Sequence, residues 1–190
     1  KEILKNKMHI LLTRQLEDCS NLIFRFKKLG HIVSHLPLLT IEKVAYDNNI
    51  LKDCTCIVFT SANAIKFLNT QKIDKKVRCF CVGLATEEKA KSVGFQNIIT
   101  AEGNVRNLKE LIFQNYSPSD GKLVYVSGEI ISMDLDQQLI KKGYSVKRLI
   151  NYRTNHNQIF EDNFIKKLKM NIPDIVYIYS YNSALSFLNF

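Results

Sequence analysis

Small hydroxyl, amide and glycine residues follow five predicted strands of this chain, at the point where each strand gives way to a helix. Ligands of parallel α/β sheets bind beyond the carboxyl ends of the strands. The N-terminus of a helix offers unpaired N–H groups and about half a positive charge, which together attract carboxylates and phosphates. We therefore expect the five groups to bind a ligand with several anionic arms, although an N-cap is the favoured interpretation of any single hydroxyl. The groups are Thr13-Arg14, Thr60-Ser61-Ala62-Asn63, Gly83-Leu84-Ala85-Thr86, Ser127-Gly128-Glu129 and Ser180.

Chemistry that needs a dedicated catalytic cluster finds no support in the sequence. No Gly-x-Gly-x-x-Gly follows a strand, and no phosphate loop ends in Gly-Lys-Ser or Gly-Lys-Thr. His31 and His35 are four residues apart, but Ile32-Val33 between them favours a strand over a metal-binding helix. No Ser-His-Asp grouping, Cys-His grouping or pair of carboxylates stands out. These absences disfavour hydride, phosphoryl and metal chemistry, and we expect neither a cofactor nor a metal.

The cysteines indicate a reducing compartment. Their number is odd and their neighbours are apolar, which argues for the cytosol and against a disulfide framework. Two Cys-x-Cys pairs lie in predicted strands, where residues i and i+2 share a face, so each pair should point one way. Buried strand cysteines are the favoured interpretation, with a metal or redox site as the alternative. The cysteines are Cys19, Cys54, Cys56, Cys79 and Cys81.

The net charge of +9 and the pI near 9.3 favour an acidic partner. Nucleic acid, anionic lipid and a polycarboxylate ligand all fit that charge. The basic residues are scattered with no arginine-rich block, which disfavours nucleic acid. No apolar run approaches the roughly 20 residues of a membrane helix, and the charged start is not a secretory signal.

One unit recurs along the chain: an apolar strand, a small or hydroxyl residue, a helix, a glycine and another strand. Apolar residues spaced by three and four mark the helices, for example between residues 16 and 29 and through Ile65 and Leu68. Such alternation predicts parallel sheets with helices on both faces. The predicted fold is α/β, with doubly wound, flavodoxin-like sheets. The predicted strands are 9–13, 32–36, 56–61, 77–83, 98–99, 123–128 and 175–180.

Two extended stretches, residues 36–42 and 146–154, are predicted to be linkers, with Pro37 excluding a helix in the first. Domain one would then comprise 8–37 and 155–190, and domain two would be an insertion over 40–150. Two antiparallel linkers would form a hinge beside a cleft. We expect domain one to be incomplete at its carboxyl end, because the chain stops within a predicted helix.

An internal similarity accompanies this organisation. At an offset of 120 residues, 57–61 lies over 177–181 in the sequence. The similarity favours a duplication of one α/β domain, and the alternative is the general likeness of any two strand–helix units.

Six segments resemble, in order, the uroporphyrinogen-III synthase family. No single segment is specific, but all six follow one another in register. Gln15 stands where the family usually has proline, and Ser127 where it usually has arginine. The segments are Thr13-Arg14-Gln15, Gly30-His31-Ile32-Val33 leading to Pro37-Leu38, Phe59-Thr60-Ser61-Ala62-Asn63-Ala64, Val82-Gly83-Leu84-Ala85-Thr86 followed by Gly94-Phe95, Ser127-Gly128-Glu129 and Tyr152-Arg153-Thr154.

The resemblance implies a cofactor-free enzyme that cyclises hydroxymethylbilane, a linear tetrapyrrole with eight carboxylates, inverting ring D and losing water. Catalysis would then depend on positioning and exclusion of water. Tyr152 would assist loss of the hydroxyl as a donor, and the alternative is an aromatic that packs at the hinge. The five polar groups would bind the acetates and propionates. The resemblance further implies a cytoplasmic monomer in transient contact with the preceding deaminase, with neither nucleic acid nor membrane as a partner.

A second function class fits the same pattern. A two-domain module of this fold could bind a small anion, or serve regulation, without catalysing a reaction. Turnover of the ligand separates the two classes.

Overall fold

The computed structural model of the chain describes residues 7–157 and 160–189. Strands and α-helices alternate along most of it, as the sequence predicts, but the second, third and fourth strands follow one another without an α-helix between them. The described residues contain nine strands: β1 His9–Leu12, β2 Ile32–His35, β3 Leu39–Lys43, β4 Cys54–Phe59, β5 Arg78–Val82, β6 Asn97–Ala101, β7 Lys122–Gly128, β8 Ser145–His156 and β9 Ile175–Tyr177. They also contain seven α-helices: α1 Leu16–Lys28, α2 Ala62–Lys66, α3 Leu84–Ser92, α4 Val105–Asn115, α5 Leu135–Lys141, α6 Asp162–Met170 and α7 Tyr181–Leu188.

The chain divides into two compact units. The split unit comprises the described residues of Lys1–Thr40 and Asn155–Phe190, and the contiguous unit comprises Ile41–Thr154. The stretches predicted as linkers, residues 36–42 and 146–154, overlap β3 and β8, which are neighbours in one sheet.

The split unit is built on a parallel sheet whose strands lie in the order β2-β1-β9. Successive side chains of β1 point to opposite faces. Ile10 and Leu12 pack with Cys19 of α1 on one face, and Leu11 packs with Phe164 of α6 on the other. Helices therefore cover both faces of this sheet, as parallel strands with two buried faces require.

The contiguous unit is built on a sheet with the strand order β3-β8-β7-β4-β5-β6. The pairs β4–β5, β4–β7, β5–β6 and β7–β8 are parallel. Ile57 and Phe59 belong to the core on one face of the sheet, and Cys56 and Val58 belong to the core on the other. Because both faces of the sheet are buried here, residues 56–59 of β4 form a continuous apolar run.

A register shift interrupts the pairing of β7 with β8. Ser127 lies opposite Ile150, whereas Gly128 lies opposite Tyr152, so Asn151 is an extra residue on β8. The shift interrupts the regular alternation of β8 side chains between the two faces of the sheet. Leu149 and Tyr152 are three residues apart, yet both pack against the same core.

A second register shift affects the cysteines. Cys79 and Cys81 share a face as predicted, with their sulfur atoms 3.8 Å apart. The prediction of a common face for Cys54 and Cys56 is wrong. These two pack against opposite cores because the pairing of β4 with β7 shifts between them.

Two helices differ from the sequence-based expectation. α6 was not predicted, although Phe164 and Leu168 have helical spacing and pack together against Leu11. α2 ends at Lys66, so Leu68 lies beyond it. No helix in the part of the chain that the structure describes combines the length and apolarity needed to cross a membrane.

Candidate functional site

The predicted polar groups all lie at the carboxyl ends of strands, either within the last part of a strand or in the segment that follows it. Some of them belong to the split unit and the others to the contiguous unit. The split unit holds Thr13, Arg14 and Ser180, after β1 and β9. The contiguous unit holds Thr60, Ser61, Ala62, Asn63, Gly83, Thr86, Ser127, Gly128, Glu129 and Tyr152.

Thr13 and Arg14 have different surroundings at the end of β1. Thr13 is 1% exposed, and its hydroxyl donates to the Tyr177 carbonyl 2.8 Å away, which ties β1 to β9. The Arg14 guanidinium pairs with Asp18 at 2.9 Å and lies 5.4 Å from the centroid of the Tyr179 ring. Arg14 is half-exposed, so its guanidinium is accessible to solvent at this edge.

Two of the predicted serines are helix N-caps. Ser180 precedes α7, and its hydroxyl accepts from the Ser183 N–H at 3.2 Å. Ser61 precedes α2, and its hydroxyl accepts from the Asn63 N–H at 3.2 Å. Each serine thus satisfies one free donor in the first turn of its helix, which confirms the favoured interpretation of these single hydroxyls as N-caps.

Thr60 connects two neighbouring strands of the contiguous unit. Its hydroxyl lies 3.2 Å from the phenol oxygen of Tyr125, which is on β7. Burial raises the pKa of Tyr125, and the hydrogen bond with Thr60 opposes that shift. Tyr125 therefore stays protonated at neutral pH and is available as a hydrogen-bond donor to Thr60.

Gly83 opens α3 with a φ of +76°, a conformation that favours glycine. Its N–H donates to the Ala101 carbonyl at 3.0 Å, which joins the turn to the end of β6. Thr86, in the first turn of α3, is only 4% exposed. The Thr86 side chain is therefore not presented to solvent at this turn, whereas the side chain of Leu84 is exposed.

The Ser127-Gly128-Glu129 turn is bound by a single guanidinium from the neighbouring strand. Arg148 Nε donates to the Ser127 hydroxyl at 2.9 Å. Arg148 Nη2 donates to the carbonyl oxygens of Gly128 and Glu129, each at 2.8 Å. All three acceptors are uncharged oxygens of consecutive residues, so Arg148 fixes the path of the turn.

Tyr152 lies opposite Gly128 on β8 and covers its Cα. A Cβ placed on Gly128 would come within 2.7 Å of two Tyr152 ring carbons and 3.0 Å of the phenol oxygen. The Glu129 N–H donates to the Tyr152 carbonyl at 3.0 Å. The turn after β7 thus contacts both the ring and the backbone of Tyr152.

The order of the strands brings the groups of the contiguous unit side by side. β8, β7, β4 and β5 are successive neighbours in the sheet. The order along its carboxyl edge is therefore Tyr152, the Ser127 turn, the Thr60 turn and the Gly83 turn. Such an edge supplies backbone N–H groups, hydroxyls and one phenol, which suits the binding and orientation of an anionic ligand.

A family model described as uroporphyrinogen-III synthase HemD matches residues 20–190. The chain belongs to this family. The match extends over both units, and membership supports the function that the six motif segments imply. Comparison with curated proteins finds no match.

Solved structures of uroporphyrinogen-III synthases share the fold of the chain. A mutant enzyme from Thermus thermophilus is 14% identical with a TM-score of 0.65, over 96% of this chain and 76% of that one. The Helicobacter pylori enzyme is 15% identical with a TM-score of 0.62, over 96% and 78%. The wild-type Thermus thermophilus enzyme is 16% identical with a TM-score of 0.53, over 96% and 76%. At these identities the likeness establishes the α/β fold with parallel sheets.

Two side chains of this uroporphyrinogen-III synthase family member were missed by sequence reasoning. Arg148 binds the Ser127 turn, and Asn151 is 0% exposed with its Nδ2 donating to the Ala64 carbonyl at 2.7 Å. Both lie on β8, which was predicted only as a linker. The basic residue and the amide were visible in the sequence, but their partners depend on the register in which β8 pairs with its neighbour.

Proposed function

We propose that this chain is a uroporphyrinogen-III synthase that converts hydroxymethylbilane into uroporphyrinogen III. Membership of the family supports the proposal. The observation that carries it is the Tyr152 phenol, packed on Gly128 beside the Ser127-Gly128-Glu129 turn. The Tyr152 phenol would thus serve as an oriented hydroxyl donor at the carboxyl edge of the sheet, where backbone N–H groups are suited to binding anions.

The substrate carboxylates would be bound by backbone N–H groups and small polar side chains. In the contiguous unit these belong to the turns that begin at Thr60, Gly83 and Ser127. In the split unit we assign this role to the half-exposed guanidinium of Arg14 and to the backbone at Thr13 and Ser180, because the Thr13 hydroxyl is buried and donates to the Tyr177 carbonyl. The net charge of +9 favours association with a ligand that bears eight carboxylates.

The reaction would proceed by assisted loss of water followed by a directed ring closure. The Tyr152 hydroxyl gives its proton to the leaving hydroxyl as the C–O bond breaks, so that the hydroxyl departs as water, and the Tyr152 oxygen later takes up the proton that the cyclised product loses. The resulting cation is attacked by the substituted position of ring D, which gives a spiro intermediate. Rearrangement and loss of one proton then give the product. Holding ring D in place selects this outcome over the spontaneous isomer.

The proposal includes an arrangement of domains. Residues 8–37 and 155–190 would form domain one, and residues 40–150 would form domain two, both flavodoxin-like. Residues 36–42 and 146–154 would act as linkers. The division of the chain near residues 40 and 154 supports these limits.

We further propose that the protein is a cytoplasmic monomer that receives its unstable substrate through transient contact with the preceding deaminase. Five free thiols support a reducing compartment.

A coupled assay tests the proposal. Hydroxymethylbilane is generated in place by a deaminase, the products are oxidised, and the isomers are separated by chromatography. Mostly III isomer is the expected result. Formation of the I isomer alone, which is the spontaneous product, would contradict the proposal and favour the non-catalytic anion-binding module.

A further inference from the structure

We infer that Arg148 is a positioning residue that holds the Ser127-Gly128-Glu129 turn and, through it, the ring of Tyr152. The inference rests on the proposed function for its effect on turnover. Its structural part stands on contacts within the contiguous unit alone.

The first step is the binding of the turn. Arg148 donates three hydrogen bonds of 2.8–2.9 Å to oxygens of three consecutive residues. A guanidinium is planar, always charged and able to donate in several fixed directions, so it can satisfy these acceptors together. Hydrogen bonds from a charged donor are stronger than those between neutral groups. The guanidinium thus stabilises one path of the chain after β7.

The second step leads from the turn to Tyr152. Gly128 pairs with Tyr152 across the sheet, and the Glu129 N–H donates to the Tyr152 carbonyl at 3.0 Å. The ring packs so closely on Gly128 that no Cβ fits between them. A displacement of Gly128 therefore moves the surface on which the ring rests.

The third step is the geometry of β8, which carries both side chains. Arg148 and Tyr152 lie four residues apart on this strand, with the extra residue Asn151 between them. Arg148 and Tyr152 are joined covalently through β8, and both also contact the Ser127-Gly128-Glu129 turn. These contacts together fix the Tyr152 ring relative to β7.

Loss of the guanidinium should make the Ser127-Gly128-Glu129 turn and the Tyr152 ring less firmly held, without removing any group that acts on the substrate. A reacting group misplaced by about 1 Å can reduce the rate by orders of magnitude. We expect Arg148→Met to lower kcat about tenfold while KM changes by less than about twofold. The share of I isomer should rise at saturating enzyme, because a poorly oriented cation closes spontaneously.

The experiment uses the full chain with Arg148→Met, Arg148→Lys and the control Lys147→Met, which alters the adjacent exposed residue of the same strand. The isomer ratio and the single-turnover rate constant are measured with enzyme in excess, so that a partly unfolded population is compensated by concentration, and kcat and KM are measured with substrate in excess. Amide hydrogen exchange of Glu129 is measured by NMR, which needs no turnover. Arg148→Met should accelerate that exchange, Lys147→Met should not, and Arg148→Lys should be intermediate because one ammonium cannot satisfy all three acceptors.

The outcomes separate the inference from the proposed function. If the wild-type chain yields only I isomer, the synthase proposal fails, and the Glu129 exchange rate still decides whether Arg148 holds the turn. Wild-type exchange, kcat and isomer ratio in Arg148→Met would overturn the inference. Should Arg148→Met fail to fold, wild-type behaviour of Arg148→Lys in all three measurements would overturn it equally.

Discussion

The ring of Tyr152 rests on the Cα of Gly128, and the two residues leave no room for a side chain between them. A Cβ on Gly128 would lie 2.7 Å from two ring carbons, a distance that real Cβ atoms essentially never show. Gly128 is not among the glycines with positive φ. Space, and not backbone conformation, therefore requires glycine at this position.

Gly128→Ala should displace the Tyr152 ring and destabilise the contiguous unit. Overpacking of this kind costs about 1–3 kcal/mol in the free energy of unfolding, and urea denaturation measures it. In a Tyr152→Ala background the added methyl meets no ring, so the same substitution should have little effect on stability. An equal loss in both backgrounds would show that the ring is not the obstacle.

Tyr152→Phe should lower turnover by about tenfold or less, since water can replace part of the contribution of a general acid. The ring remains, so packing on Gly128 and the midpoint of thermal unfolding should be unchanged. The coupled assay with separation of isomers gives kcat for this variant. Complete loss of activity with a lowered melting temperature would assign Tyr152 a structural role instead.

Asn151→Asp should destabilise the protein at neutral pH by at least about 2 kcal/mol. The fully buried amide donates to the Ala64 carbonyl, and a carboxylate cannot do so. Asn97→Asp is the matched control, because Asn97 Nδ2 also donates to a backbone carbonyl, that of Lys76, but is exposed. Its effect should stay below about 0.5 kcal/mol in urea denaturation. Equal losses for the two variants would contradict this explanation.

The unfolding free energy should fall as pH rises past the ordinary thiol value of about 8.5. Burial raises the pKa of Cys56, and the hydrogen bond with Cys81 together with burial raises that of Cys79. Below the ordinary value both folded and unfolded thiols are protonated, so nothing is lost. Above it only the unfolded thiols ionise, which draws the equilibrium toward unfolding by about 1.4 kcal/mol per pH unit for each thiol.

Cys56→Ala tests this pH dependence. Urea denaturation at several pH values should show a shallower alkaline fall for the variant than for the wild type. The comparison concerns slopes, so a lower stability at neutral pH does not affect it. Identical slopes would exclude Cys56 as a source of the alkaline loss.

The sequence predicts the strands well where burial on two faces leaves an uninterrupted apolar run. β4, predicted at 56–61 and found at Cys54–Phe59, is an example, and so is β7, predicted at 123–128 and found at Lys122–Gly128. The positions of the polar groups at the strand ends follow from the same pattern. Local periodicity is sufficient for these features because each is determined by near neighbours in the chain.

Features that depend on pairing between distant segments were not predictable in this way. The contact of Arg148 with Ser127 joins residues 21 apart, and that of Asn151 with Ala64 joins residues 87 apart. Both depend on which residue of β8 faces which residue of its neighbours. The split of Cys54 and Cys56 between two cores has the same origin, because nothing in the local sequence marks an extra residue in a strand.

The extra residue at Asn151 acts as a phase shift in the two-residue period of β8. Deletion of Asn151 would restore the regular period, and Tyr152 would still lie opposite Gly128 on the side of the sheet that Leu149 faces. Deletion of Ile150 together with Asn151 would make Tyr152 the next residue after Leu149 and turn the phenol toward the opposite side of the sheet. Over this segment, then, the change in length and not only the identity of a side chain decides whether the ring still faces Gly128.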